Sequence, residues 1–188
     1  MRHPHIAGIL LTSLISLFGC SDIPPNGSSV SHYYSNGHYH YSNGHESAVA
    51  SVEGGKLEGP WTSWYKNGQK ASEGFFKNGK EDGDMVLWYK NGQKAIEGEY
   101  ENGTQKGAWT YYHKNGQKAA VGKFKSSLHL REGDWTRWYE DGQKSSEGTY
   151  ENDRYQGGWN FWNKDGSVDH KESGIYKDDE KIAPLPDK

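Results

Sequence analysis

Along most of the chain, apolar side chains come in short aromatic runs separated by turn-forming pairs, and the pattern recurs. Gly44, Gly68, Gly92, Gly116, Gly142 and Gly166 each follow Asn or Asp, at spacings of 24, 24, 24, 26 and 24 residues. A fixed period of this kind marks a repeat architecture before any single residue is interpreted. The fullest copies begin at Gly59, Gly83, Gly107, Gly133 and Gly157. In each, a run such as Trp61 to Tyr65 leads into Asn-Gly or Asp-Gly, and a second run ends in Gly-x-aromatic. Asn-Gly accepts the positive φ angles of a type I′ turn, whose twist suits paired strands, so each copy predicts one β-hairpin. A further Asn-Gly in two copies, Asn78-Gly79 and Asn102-Gly103, closes the next turn. No stretch has helical periodicity, and Gly recurs too often for a helix to persist. The expected fold is all-β: an elongated antiparallel meander of tandem 24-residue hairpins. Open sheets of about ten strands seldom stay flat, so the single sheet should be twisted or curled.

Three aromatic columns run through the copies. The first is Trp61, Met85, Trp109, Trp135 and Trp159; the second is Trp64, Trp88, Tyr112, Trp138 and Trp162. They lie three residues apart, so on a regular strand they face opposite sides of the sheet. The third, Phe76, Tyr100, Phe124, Tyr150 and Tyr176, follows by two residues a column of Gly (74, 98, 122, 148, 174) that makes room for neighbouring rings. The Gly and Phe76 columns need one Trp column as their core companion, which leaves the other column less covered and open to a partner. The expected partner surface is Trp64, Trp88, Tyr112, Trp138 and Trp162, with the first column as core. A bulge would exchange the two faces.

Composition supports an aromatic core. The chain is poor in aliphatic residues yet carries eight Trp and thirteen Tyr at a net charge of −3. That combination is unlike a disordered chain, and the interspersed Lys and Glu give no concentrated basic surface for nucleic acid. Polar positions repeat as well: Gln69, Gln93, Gln117, Gln143; Lys70, Lys94, Lys118, Lys144; Glu73, Glu97, Glu147. Catalysis needs a unique constellation, whereas a residue type present in every copy serves the copy itself. These read as solvated ladders rather than a glycosidase pair, and the expectation is a protein that is not an enzyme and needs no cofactor.

The N-terminus reads as an export signal: Met1 and Arg2, an apolar run from Ile6 to Phe18, then Gly19 and Cys20. The run is too short to span a bilayer, which takes about 20 residues. Leu17-Phe18-Gly19-Cys20 resembles the bacterial lipoprotein box, which implies cleavage before Cys20 and its acylation. A lone exported thiol without a disulfide partner fits that reading. The absence of an acidic residue after Cys20 points to the outer membrane. The expected organisation is a lipoprotein signal peptide over 1–19, a flexible tether over 20–31, a degenerate first repeat or cap over 32–58, five hairpin repeats over 59–176 and a disordered tail over 177–188. His32, His38, His40 and His45 cluster among Tyr and are weak metal-ligand candidates; the plainer reading is the degenerate first repeat, with no metal.

The motif G-x-W-x-x-W/Y-Y-x-N-G-Q-K-x-x-x-G-x-Y/F over Gly59 to Tyr176 resembles the bacterial variant of the MORN repeat, found also in YwqK-type antitoxins. The resemblance implies a β-hairpin array without catalytic residues, and roles in protein interaction, membrane association or toxin neutralisation. Three functional classes follow: a lipid-anchored envelope scaffold binding a protein partner, an anchored antitoxin neutralising a toxin, and a glycan or cell-wall binder using its aromatic rows.

Overall fold

The computed structural model describes residues 33–34, 38–40, 46–125 and 129–186. The expected signal peptide, tether and Cys20 fall outside them, as do His32, His45 and the side chains of His38 and His40. The described strands are β1 (Tyr33–Tyr34), β2 (His38–His40), β3 (Glu46–Glu53), β4 (Lys56–Trp64), β5 (Lys70–Lys77), β6 (Lys80–Glu81), β7 (Gly83–Trp88), β8 (Lys94–Glu101), β9 (Thr104–Tyr112), β10 (Lys118–Lys125), β11 (Leu130–Trp138), β12 (Lys144–Glu151), β13 (Arg154–Phe161), β14 (Gly174–Lys177) and β15 (Glu180–Ala183). No helix occurs among the described residues. Each strand pairs antiparallel with its sequence neighbours in one open sheet, except that the short β6 pairs only β5, beside β7. The fold is therefore the expected all-β meander of hairpins.

The five repeats are the hairpins β4–β5, β7–β8, β9–β10, β11–β12 and β13–β14. Their two turns differ, which corrects the uniform type I′ reading. In the Asn-Gly-Gln-Lys turn only the Gly takes positive φ (Gly68 81°, Gly92 83°, Gly116 85°). Gly68 N–H donates to the Tyr65 carbonyl at 2.8 Å and Tyr65 N–H to the Gln69 carbonyl at 2.8 Å. This is a three-residue loop with a left-handed Gly closing a type I turn. Asn67 instead accepts a hydrogen bond from Gln69 N–H at 3.1 Å, an Asx turn. The connecting turns between repeats do carry both residues at positive φ, as Asn78-Gly79 (53°, 80°) and Asn102-Gly103 (51°, 81°), the type I′ signature.

Asn152-Asp153 and Asp178-Asp179 adopt the same conformation. The second of these corrects the expected disordered tail, because it folds the chain back as β15 against β14. Two adjacent Asp residues tolerate the left-handed region and so make a hairpin turn without Gly.

One face of the sheet is the core. Trp61, Met85, Trp109, Trp135 and Trp159 are buried, with Trp159 at 0% exposure, and so are Phe76, Tyr100, Tyr150 and Tyr176. Rings of successive strands meet edge to face, as in Tyr100–Trp109 (5.0 Å, 86°) and Phe124–Trp135 (5.4 Å, 89°), the arrangement the ring quadrupole prefers. The glycine column explains how a single layer hides such large rings. Trp109, Trp135 and Trp159 each lie flat on the glycine of the preceding repeat, Gly98, Gly122 and Gly148. A Cβ there would stand 2.0 to 2.3 Å from ring carbons. Over Gly74 the ring is replaced by Met85, and nearby the strand is interrupted at Asp82, between β6 and β7.

The array ends on a substitution of the same kind. Over Gly174, where the next Trp would lie, the stem of Lys181 takes its place. Its Nζ donates to the carbonyls of His170 (3.2 Å) and Lys171 (2.8 Å).

Candidate interaction face

The second column, Trp64, Trp88, Tyr112, Trp138 and Trp162, lies on the face opposite the core, and all five rings are half-buried. What surrounds them is set by a β-bulge. Trp64 pairs with Lys70 and Ser63 with Ser72, so Ala71 is an extra residue in β5, and the same shift recurs at Trp88 and Trp138. In a regular strand residues i and i+3 point to opposite faces. The bulge brings Lys70 to the face of Glu73, and the pairs Lys70–Glu73 (2.8 Å), Lys94–Glu97 (2.7 Å) and Lys144–Glu147 (2.7 Å) form beside the rings. Lys70 Nζ also stands 5.2 Å from the Trp88 ring centre and Lys144 Nζ 6.0 Å from that of Trp162, each cation capping a ring of the following repeat.

The face thus alternates rings with paired charges. The ion pairs are exposed and contribute little to stability, roughly 0 to 1 kcal/mol each. In the third repeat Val121 occupies the Glu position, and Tyr112 there donates a short hydrogen bond to Glu97 of the repeat before. Hydrogen bonds from Lys94 and then Tyr112 hold the Glu97 carboxyl below its ordinary range, while burial and the Glu97 contact push the Tyr112 phenol up to about 12.

A further column, which the sequence reading passed over, ties the rings to the core edge. Tyr65, Tyr89 and Tyr139 donate their hydroxyls at 2.7 Å to the backbone carbonyls of Trp88, Tyr112 and Trp162, each one repeat ahead. His113 Nε2 stands 2.9 Å from the Trp138 carbonyl in the equivalent place. Beside them Asn67, Asn91 and Asn115 donate to the carbonyls of Lys90, Lys114 and Glu140 at 2.9, 2.7 and 2.6 Å. Gln69, Gln93, Gln117 and Gln143 lay their carboxamides against the turn glycine of the next repeat. These repeated polar residues fasten neighbouring turns, and the outer rings are fixed through their own main chain. The one sequence signal for the Tyr column was its recurrence directly before Lys-Asn-Gly in two copies, Tyr65 and Tyr89.

Among the described residues no group of three or more His, Cys, Asp or Glu is arranged to hold a metal ion. No helix among them is long and apolar enough to cross a membrane.

No curated protein matches the chain. The MORN repeat variant matches it over residues 57–78, 81–102 and 131–152. Each segment is one hairpin of the meander together with its Asn-Gly or Asp-Gly turn. The unmatched hairpins β9–β10 and β13–β14 have the same pairing but depart in sequence, the first through His113 and Val121, the second through the longer connection from Trp162 to Ser173. MORN repeats are commonly modules of protein or membrane interaction and are typically non-catalytic. Three of the five hairpins are thus similar to the MORN repeat variant, and the other two share their pairing.

Proposed function

We propose that this protein is a non-enzymatic envelope lipoprotein, exported and acylated at Cys20, whose array holds a protein partner through the outer aromatic column. One observation carries the choice of face: the core column is buried, whereas Trp64, Trp88, Tyr112, Trp138 and Trp162 remain half-exposed in a row flanked by Lys–Glu pairs. Rows of anchored aromatics rimmed by polar groups are the usual composition of binding hot spots. Anchoring through backbone carbonyls keeps the rings in place before binding, which lowers the ordering cost of association. The lipid anchor rests on the Leu17 to Cys20 box behind an apolar run of signal-peptide length.

The test is an affinity pull-down of the full chain from its own cells, repeated with two double variants. Trp88→Ala with Trp138→Ala should weaken capture of the recovered protein and lower the melting temperature modestly. Trp109→Ala with Trp135→Ala should instead destabilise the fold by about 3 to 5 kcal/mol per buried ring. Undiminished capture by the first variant would remove the outer column as the partner surface.

A further inference from the structure

The core face departs from its pattern in one repeat, at two positions together. Where other repeats place Ser63, Leu87, Tyr111 or Phe161, the fourth has Arg137; where they place Leu57, Glu81, Gln105 or Tyr155, it has Arg131. The two guanidinium groups converge on one phenol. Arg131 Nη1 and Arg137 Nη2 each donate to the Tyr150 hydroxyl oxygen at 2.5 Å. Arg131 also pairs through Nε with Asp153 and stacks 4.0 Å from the Tyr150 ring centre. Arg137 reaches Ser146 Oγ at 3.4 Å and, among the described residues, has no carboxylate within ion-pairing distance.

Two deficits meet at this point. Two arginines face one aspartate, which leaves a single positive charge uncompensated. Guanidinium groups donate and cannot accept, so the Tyr150 hydroxyl, taken twice as an acceptor, still has its own proton to place. Tyr150 is 2% exposed, and no acceptor for that proton lies among the described residues. Burial raises this phenol well above its ordinary range, against the pull of Arg137 and Arg131, so the proton is retained. A buried donor without an acceptor beside an unpaired charge is costly. One chemical group supplies both missing partners.

We infer that Arg137, Arg131 and Tyr150 form a binding site for a carboxylate on the core face of the fourth repeat. The carboxylate would accept from the Arg137 fork and from the Tyr150 O–H together. A monoanion matches the single uncompensated charge, which a phosphate dianion would overshoot. Arg137, whose fork the carboxylate would meet, is half-buried, and the Arg131 side chain beside it is 28% exposed, so the approach is from the arginine side of the ring. It lies on the opposite face from the outer column and is independent of the function proposed above.

The experiment is a titration of the full chain, followed by the indole N–H resonances of Trp135 and Trp159, which flank the site, with ionic strength held by chloride. Sodium acetate and a neutral-backbone tripeptide with one central Glu, blocked at both ends, serve as carboxylate probes; inorganic phosphate is the third. Saturable shifts of these two indoles with either carboxylate, weakened about tenfold or more by Arg137→Gln and by Tyr150→Phe, are expected. Tighter binding of the peptide would identify an acidic side chain of a protein as the source, and equal binding a small acid. Arg154→Gln, a change at an exposed arginine paired with Asp178, should leave the shifts unaltered. If Arg137→Gln fails to fold, Arg137→Lys, which keeps the charge and loses the fork, should show the weakening. Shifts that never saturate, shifts equal in wild type and variants, or saturation by phosphate alone would each overturn the assignment.

Discussion

The glycines beneath the core rings make the sharpest demand of the fold, and Gly122→Ala tests it. A Cβ at Gly122 would lie 2.0 Å from Trp135 Cδ2 and 2.1 Å from Cε2, far inside contact distance, so the ring or a strand must move. Trp135 has little room to yield. It is 4% exposed, its Nε1 donates to the Lys123 carbonyl at 3.1 Å, and it meets Phe124 and Tyr150 edge to face at 5.4 and 5.9 Å. Overpacking a core costs about 1 to 3 kcal/mol, and disturbing two ring pairs adds roughly 1 kcal/mol each, so the expected loss is about 3 to 5 kcal/mol. In a chain of this size that lowers the melting temperature by about 10 °C or more. Gly158→Ala is the control. Gly158 lies on the other face at ordinary φ, and a Cβ there would meet only Leu185 and Ile175, at 3.4 and 4.0 Å. With that strain absent, Ala should be neutral or stabilise by about 0.4 to 1 kcal/mol. Thermal melts of the two variants decide the matter: equal effects would mean that the rings do not rest on the glycines.

The remaining expectations follow the same contacts. Removing one whole period, Gly83 to Lys106, rejoins equivalent strands and should leave a cooperative melt, whereas removing 12 residues reverses the meander and should not. Tyr89→Phe deletes one tie between repeats, the 2.7 Å bond to the Tyr112 carbonyl, and should cost about 1 kcal/mol in a denaturant melt. Glu97 is held below its ordinary pKa, so its contribution is complete above the ordinary carboxylate range and is lost as the pH falls; Tyr112, raised to about 12, contributes below pH 10 and loses this as the pH rises towards 12. Glu97→Gln should flatten both limbs of a plot of stability against pH, and an unchanged plot would refute the coupling. Metabolic labelling with a fatty acid should mark the wild type and not Cys20→Ser.

Much of the fold was legible because each copy states the same pattern again. The period, the strand alternation and the partnership of Gly122 with a nearby ring all follow from residue type and spacing along one chain segment. What escaped was set by contacts across repeats or by a shift of one residue. The dipeptide Asn-Gly occurs in both turn classes, and loop length separates them: Tyr65 to Gln69 closes around three residues, Asn78-Gly79 around two. The Tyr65 column acts on a carbonyl in the next repeat, 23 positions away, so nothing within one copy shows its role. Asp178-Asp179, like Asn152-Asp153, lacks the Gly of Asn78-Gly79 and Asn102-Gly103, which is why β15 looked like tail.

The bulge at Ala71 links these omissions to function. Alternation alone places Lys70 and Glu73 on opposite faces, and the structure joins them only because an extra residue is inserted between them. The same insertion turns Ala71, which is 6% exposed, inward and leaves the Lys stem beside the outer ring. The first, second and fourth repeats therefore present the aromatic side chain with a charge pair at a fixed offset. If the bulge exists to seat that extra residue, deleting Ala95 should leave Lys94 and Glu97 two positions apart on one face of a regular strand, so their pair survives while the side chain packed beside Met85 and Trp109 is lost. The deletion would then lower stability through lost core packing, with no charge buried, and hydrogen exchange in β8 should rise before that in β12, because the disturbance begins in the repeat that lost the residue. Equal protection of the two strands would show that the core of β8 does not depend on the bulged residue.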